Sequence, residues 1–229
     1  MTALLAIDTS TSCSVGLLHG KQLFRRTSPE KLHAAQDVLV MVDAVVTEAN
    51  LELSDLSAIV PVTGPGSFTG LRIGIGAVQG LSQALQLPVI PVSALALLAW
   101  SANKLYANRH WMVVQQSQGQ ELYLGFYAID ETAGIIPLAA EQVSRTCDIN
   151  VEELATILGQ HTRWCAAGDG WVSVAQLMQA LDINPCRNIL DHHPLIEDLC
   201  RLGAILYERG CQSKELVLPN YIKEHMHYG

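Results

Sequence analysis

Apolar and polar positions along this chain change period several times, and each change marks an element. Residues 4–7 are a short, wholly apolar run ending at Asp8, the pattern of a buried strand. Residues 14–18 give a second strand, His19-Gly20-Lys21 a turn, and 22–24 a third strand. From about 29 to 49 the period becomes helical, with Leu32, Ala35, Val38, Leu39, Val42, Val45, Val46 and Ala49 as the core stripe. A second patch on that helix, His33, Val40 and Ala44 with Asp37 among them, sits away from the stripe and is a candidate contact surface. A strand at 58–62, a glycine-rich helix, a short strand at 87–92 and a helix at about 93–102 complete the first half.

The pattern then restarts. Strands are expected at 111–114, 122–129 and 162–167, and helices at 151–158, 172–181 and about 195–208, with a turn at Gly168-Asp169-Gly170. Hairpin-linked strands followed by alternating helices and strands describe an α/β lobe. Two such starts predict a duplicated, two-lobed chain, the second copy smaller and less regular. The expected divisions are 1–103, completed by the helix near 195–208, then 109–193, then a tail at 209–229.

The junction after the strand at 58–62 carries six glycines in the seventeen residues 64–80. Gly64-Pro65-Gly66 is a tight turn, since glycine reaches positive φ cheaply and proline fixes its own φ. A G-x-G-x-x-G reading fails because the third glycine, Gly70, comes one residue late. A Walker A reading fails because Leu71-Arg72 follows Gly70 where Lys-Ser/Thr is required. Each glycine inside the helix costs about 1 kcal/mol against alanine, so Gly70, Gly74, Gly76 and Gly80 need a reason. On a helical wheel Gly70, Gly74, Ala77, Leu81 and Ala84 share one strip, with Leu71, Ile75 and Val78 on one flank and Ile73, Gly76 and Gly80 on the other. Small or apolar residues cover most of the circumference, so the helix is expected to be covered from two directions. Its own sheet is one cover, and a second chain is the expected other.

At 229 residues, 49% hydrophobic and 16% charged, the chain has ample material for a core. A net charge of −8 argues against stand-alone nucleic-acid binding. The start of the chain lacks the basic and long apolar segments of a signal peptide, and no apolar run reaches a membrane span, so a cytoplasmic protein is expected. The six cysteines are scattered without a C-x-x-C pair and are expected as reduced thiols. No histidine spacing suits a metal.

Two polar loops are candidates for chemistry. Asp8-Thr9-Ser10-Thr11-Ser12 follows the first strand, where hydroxyls and N–H groups could cradle a phosphate and Asp8 orient a magnesium-bound water. The same residues suit an ordinary Asx or Ser/Thr turn. Gly168-Asp169-Gly170 offers a second glycine turn, and together the loops resemble the phosphate loops of actin-like ATPases and sugar kinases. The stretch Gln115 to Gln120 supplies no acid or base, and Glu121 is the nearest carboxylate, so the residues for a reaction are thin.

The segments A-I-D-T-S-T at 6–11, G-P-G-S-F-T-G-L-R-I-G at 64–74, P-V-S-x-L at 91–95, E-L-Y at 121–123, G-D-G-W at 168–171 and P-x-Y at 219–221, with His33 at the head of the first helix, together resemble the TsaB family, also called YeaZ. The resemblance implies an actin-like (ASKHA, ribonuclease H-like) α/β fold. It also implies a non-catalytic role in bacterial tRNA threonylcarbamoyladenosine (t6A) modification. In that family the subunit pairs with TsaD, the metal-bearing transferase, and the ATPase TsaE completes the complex. The interface is then expected on His33, Asp37, Val40, Ala44, Phe68, Gly70, Leu71, Gly74, Ala77, Val78 and Leu81. Asp8, Thr9, Ser10, Gly168, Asp169 and Gly170 become a vestigial nucleotide site. No cofactor of its own is implied, any ATP being held weakly or at a partner interface. Contact with tRNA is expected only through the complex, and a homodimer when the chain is alone. The family's D-A-R reads Gln116-Ser117-Gln118 here, and its P-x-Y-x-R ends in Lys223, so neither arginine contact carries over. A stand-alone ATPase or small-molecule kinase is the alternative. A peptidase rests only on kinship with TsaD, whose H-x-x-x-H metal pair does not occur in this sequence.

Overall fold

The computed structural model of the protein describes residues 1–28, 34–117, 119–130, 132–159, 163–180, 185–220 and 222. In chain order the strands are β1 (Ala3–Asp8), β2 (Ser14–His19), β3 (Gln22–Thr27), β4 (Ala58–Gly64), β5 (Val92–Ser93), β6 (His110–Gln116), β7 (Glu121–Asp130), β8 (Gly134–Pro137), β9 (Gln142–Arg145), β10 (Cys165–Ala167) and β11 (Arg187–Ile189). The helices are α1 (Ala34–Glu48), α2 (Phe68–Leu85), α3 (Ala94–Ala102), α4 (Val151–Gly159), α5 (Trp171–Ala180) and α6 (Ile196–Glu208). The chain divides into two units.

Unit 1 comprises Met1–Ala94 and Leu195–Asn220. Its sheet has the order β3-β2-β1-β4-β5, antiparallel across the hairpins and parallel from β1 onward. The apolar run of β1 serves two cores at once because successive side chains point to opposite faces. Ala3, Leu5 and Ile7 join Val15, Leu17 and the α1 valines Val38, Val42, Val45 and Val46 in one buried cluster. On the other face α6 lies close because two glycines leave room. A Cβ on Gly203 would come within 2.7 Å of Val60, and one on Gly16 within 2.7 Å of the Cys200 sulfur.

Unit 2 comprises Leu95–Pro194 and Tyr221–Gly229. Read from β8, its sheet runs β8-β7-β6-β10-β11, with β9 also on β7. Its antiparallel pairs followed by parallel pairs repeat the topology of unit 1. Trp111 and Val113 of β6 pack with α3, while Met112 and Val114 pack with Leu154 of α4 and Val174 and Met178 of α5. Each unit is therefore a sheet between helical layers.

The unit boundaries differ from those expected. Helix α3 belongs to unit 2, where Leu95, Leu98 and Ala99 share a core with Trp111. Residues 209–220 are no loose tail. Val89 and Ser213 exchange backbone hydrogen bonds of 2.8 and 2.9 Å, the Asn220 N–H donates to the Thr63 carbonyl at 2.8 Å, and Gln79 donates to the Val217 carbonyl at 2.6 Å. The expected strand at 87–92 contracts to a bridge at Val89 and the two residues of β5, because Pro88 and Pro91 have no N–H to donate. Strands β8, β9 and β11 were not expected. They are only three or four residues long, β9 and β11 are largely polar, and several residues of all three are exposed or half-buried, so they carry little period-2 signal.

Candidate functional site

Helix α2 begins where the β4 strand ends in the cis Gly64–Pro65 peptide, and Ser67 caps it by accepting from the Gly70 N–H at 3.2 Å. It ends at Gln86, which takes the left-handed conformation with φ 54°. Leu71, Gly74, Ile75 and Val78 are buried within unit 1. On nearly the opposite side, Gly76, Gly80 and Ala84 are exposed, with Ile73 and Ala77 half-buried beside them. Among the described residues, and apart from the helix's own backbone, a Cβ on Gly76 or on Gly80 would meet nothing within 4 Å.

The inward side explains two of the four helix glycines. A Cβ on Gly70 would overlap the Thr9 carbonyl oxygen, and one on Gly74 would overlap Thr9 Oγ1. Gly66 lies in the same way on Ser10, 2.7 Å from the place its Cβ would occupy. These glycines let the head of α2 settle on the β1–β2 loop. This corrects the expected interface at three residues. Leu71, Gly74 and Val78 are covered by their own unit, so they offer no surface to a partner. The strip Gly70–Gly74–Ala77–Leu81–Ala84 runs along the border between the two sides, Gly74 buried and Ala84 exposed.

The remaining candidates lie on or near the outer side. Phe68 is 56% exposed at the head of α2, with the Arg72 guanidinium 3.8 Å over its ring. Ile73, Ala77 and Leu81 are half-buried against the cluster that includes the α1 valines. On α1, Val40 is 68% exposed and Ala44 half-buried. Asp37 accepts a 2.8 Å hydrogen bond from the Ser28 hydroxyl, which ties α1 to the end of β3. His33 lies outside the described residues. Helices α1 and α2 pack against each other.

The two polar loops are engaged inside their own units. The Asp8 carboxylate accepts from Ser10 twice, from the backbone N–H at 2.8 Å and the hydroxyl at 2.7 Å, which is the Asx-turn reading of this segment. Thr9 and Ser10 are buried under Gly70, Gly74 and Gly66. The loop expected to cradle a phosphate thus packs against the head of α2. In unit 2, Gly168 has φ +100° and a Cβ there would overlap the Val114 carbonyl, to which Gly170 N–H donates at 3.0 Å. Asp169 accepts from the Gln116 N–H at 2.8 Å. The turn thus clamps the end of β6. Among the described residues, no three His, Cys, Asp or Glu side chains converge in a way that could hold a metal, and no helix is long and apolar enough to cross a membrane.

Burial raises the Asp8 pKa, and the Ser10 hydrogen bonds only partly offset it. The folded chain therefore holds that proton more tightly than the unfolded chain. The resulting penalty on folding grows as pH rises from the ordinary 3.8 toward the folded value, and levels off above it. Asp8→Asn keeps an acceptor for Ser10 and removes the charge. It is expected to melt at or above the wild-type temperature at pH 7, the advantage shrinking toward pH 4, as paired thermal melts will show. A large loss at pH 7 would mean that the charge itself is favourably held.

Comparison with known proteins places this architecture. The family model described as "TsaD: tRNA N6-adenosine threonylcarbamoyltransferase" matches residues 28–179. The tRNA threonylcarbamoyladenosine biosynthesis protein TsaB of Buchnera aphidicola subsp. Schizaphis graminum is 31% identical over 173 residues, covering 75% of this chain and 80% of the relative. TsaB of Escherichia coli (strain K12) is 35% identical over 170 residues, 73% and 71% of the two chains. The solved structure of YeaZ from Pseudomonas aeruginosa is 35% identical, covers 96% of this chain and 100% of its own, and superposes with a TM-score of 0.80.

Proposed function

The chain belongs to the TsaB (YeaZ) family, and on that premise we propose that it is a non-catalytic subunit of the bacterial t6A modification machinery, docking a TsaD-type transferase on the outer face of α1 and α2. One observation carries the docking site. Gly76 and Gly80 interrupt a helix at about 1 kcal/mol each, yet among the described residues nothing beyond the helix's own backbone stands within 4 Å of where their Cβ atoms would be. Gly70 and Gly74 are explained by Thr9; Gly76 and Gly80 are explained by close approach of a helix from another chain. Small residues at such a crossing bring helix axes to the short end of the usual ~8–10 Å.

The kinship with TsaD supports this reading, because two chains of one fold can pair their equivalent helices, and a second copy of this chain can occupy the same face when no transferase is present. TsaE completes the assembly, and tRNA is reached through the complex, in keeping with the net charge of −8. The subunit acts in the cytoplasm and holds no cofactor of its own; the internal engagement of Asp8, Thr9 and Asp169 supports this. The test is co-elution of the purified chain with TsaD from the same cell on size exclusion, beside a phosphate-release assay of the chain alone with ATP and magnesium. The expected result is a stable complex and no turnover. Steady phosphate release that Asp8→Asn abolishes would place the chain among the ATPases and kinases instead.

A further inference from the structure

We propose that Cys165 and Cys186 form a redox-active pair that closes to an intramolecular disulfide when the protein meets a peroxide, fastening edge strand β11 to β10. Their sulfurs are 2.9 Å apart, closer than the ~3.5–4.0 Å at which even unbonded carbons rest. A disulfide bond is ~2.05 Å, so less than 1 Å of approach separates contact from bond. The backbone already holds the pair together. Cys165 stands opposite Arg187 in the parallel register, and the Cys186 N–H donates to the Trp164 carbonyl at 2.7 Å. The sequence hides the pair, because the two cysteines are 21 positions apart.

Exposure sets the order of events. Cys186 is exposed and Cys165 buried, so the peroxide meets Cys186 first. Its sulfur attacks one peroxide oxygen, the O–O bond breaks, and a sulfenic acid and one water result. The Cys165 sulfur then attacks the Cys186 sulfur, the S–S bond forms, the S–O bond breaks, and a second water leaves with the Cys165 proton. Two thiols lose two electrons in all, and one hydrogen peroxide becomes two waters. Burial, followed by the neighbouring Cys186 sulfur, pushes the Cys165 thiol pKa up, so this closing step is slow relative to that of an activated thiolate.

The bond matters because β11 is a three-residue edge strand that, among the described residues, pairs with β10 alone. Short edge strands open readily, and a cross-link there restrains the unfolded chain between the two cysteines.

The test uses the full purified chain. After prolonged exposure to hydrogen peroxide, denaturation and alkylation without reductant, four of the six cysteines should be modified, and the peptides holding Cys165 and Cys186 should appear joined. The oxidised protein should melt on the order of 5 °C higher, and a phosphine reductant should reverse the shift. Cys186→Ser should show neither the joined peptides nor the shift, and being an exposed change it should leave the reduced protein folded. Six alkylated thiols after exposure, a Cys186 sulfinic acid beside a free Cys165, or the same melting shift in Cys186→Ser would each overturn the proposal.

Discussion

Gly74→Arg yields no stably folded protein. The site is closed by Thr9, whose Oγ1 already occupies the space of a Cβ, with the Thr9 Cβ and Cγ2 each 3.1 Å away. Thr9 is itself buried at 4% and cannot swing into solvent. Arginine would add a long cation to that contact, combining overpacking with an unpaired buried charge. The expected loss exceeds about 4 kcal/mol, a large part of a total that is typically ~5–15 kcal/mol. Expression in the insoluble fraction, or loss of a cooperative melt, is the readout. The mechanism has its own check. Gly74→Ala should be clearly destabilised alone, and Thr9→Ala should recover part of that loss in the double variant, because it removes the atoms in the way. Such coupling is the mark of a direct contact. A Gly74→Arg protein that melts within about 2 °C of wild type, a shift worth under ~1 kcal/mol, would show that this side of α2 does not face Thr9.

Gly80→Arg, less than two turns further along the helix, is expected to do the reverse. Its side chain enters open space, so the free chain folds normally. Gly80→Ala should even be more stable, by up to about 1 kcal/mol, raising the melting temperature by ~2–4 °C for a chain of this size. Association is the property that fails. If another helix crosses at Gly76 and Gly80, an arginine holds the two backbones apart and is desolvated where it has no partner. Affinity for TsaD should fall at least ~100-fold, about 2.7 kcal/mol, and any homodimer should weaken with it. Size exclusion with TsaD and a thermal melt on the same sample separate the two properties. A Gly80→Arg protein that still co-elutes with TsaD would remove the outer face of α2 from the interface.

The contrast between these two glycines shows where sequence reasoning stopped. The periodicity gave the expectation that α2 is covered from two directions, because small and apolar residues run around most of it. It could not say which glycines face inward, since Gly70, Gly74, Gly76 and Gly80 are identical in type and lie within three turns of one helix. The strip that looked most like a contact surface ran along the border, and Gly74 within it is buried. Val40 and Phe68 were legible as surface candidates and are exposed. The polar loop at Asp8 was legible as a loop; its engagement with Ser10 and with the glycines of α2 was not.

By itself the sequence determined the two-fold repetition of hairpin strands and helices, the burial of β1 and the family. These properties are written in local period and in residue order, and neither needs a partner to be read. Only the tertiary structure decided that α3 packs in unit 2, that residues 209–220 hydrogen-bond along unit 1, and that Cys165 touches Cys186. It also decided which pair of glycines is filled by Thr9 and which pair is left open. The physical reason is the same in each case. A periodic pattern reports how much of a side chain's surroundings is apolar, whereas contact between distant segments depends on what stands opposite, and that is set when the sheets and helices assemble.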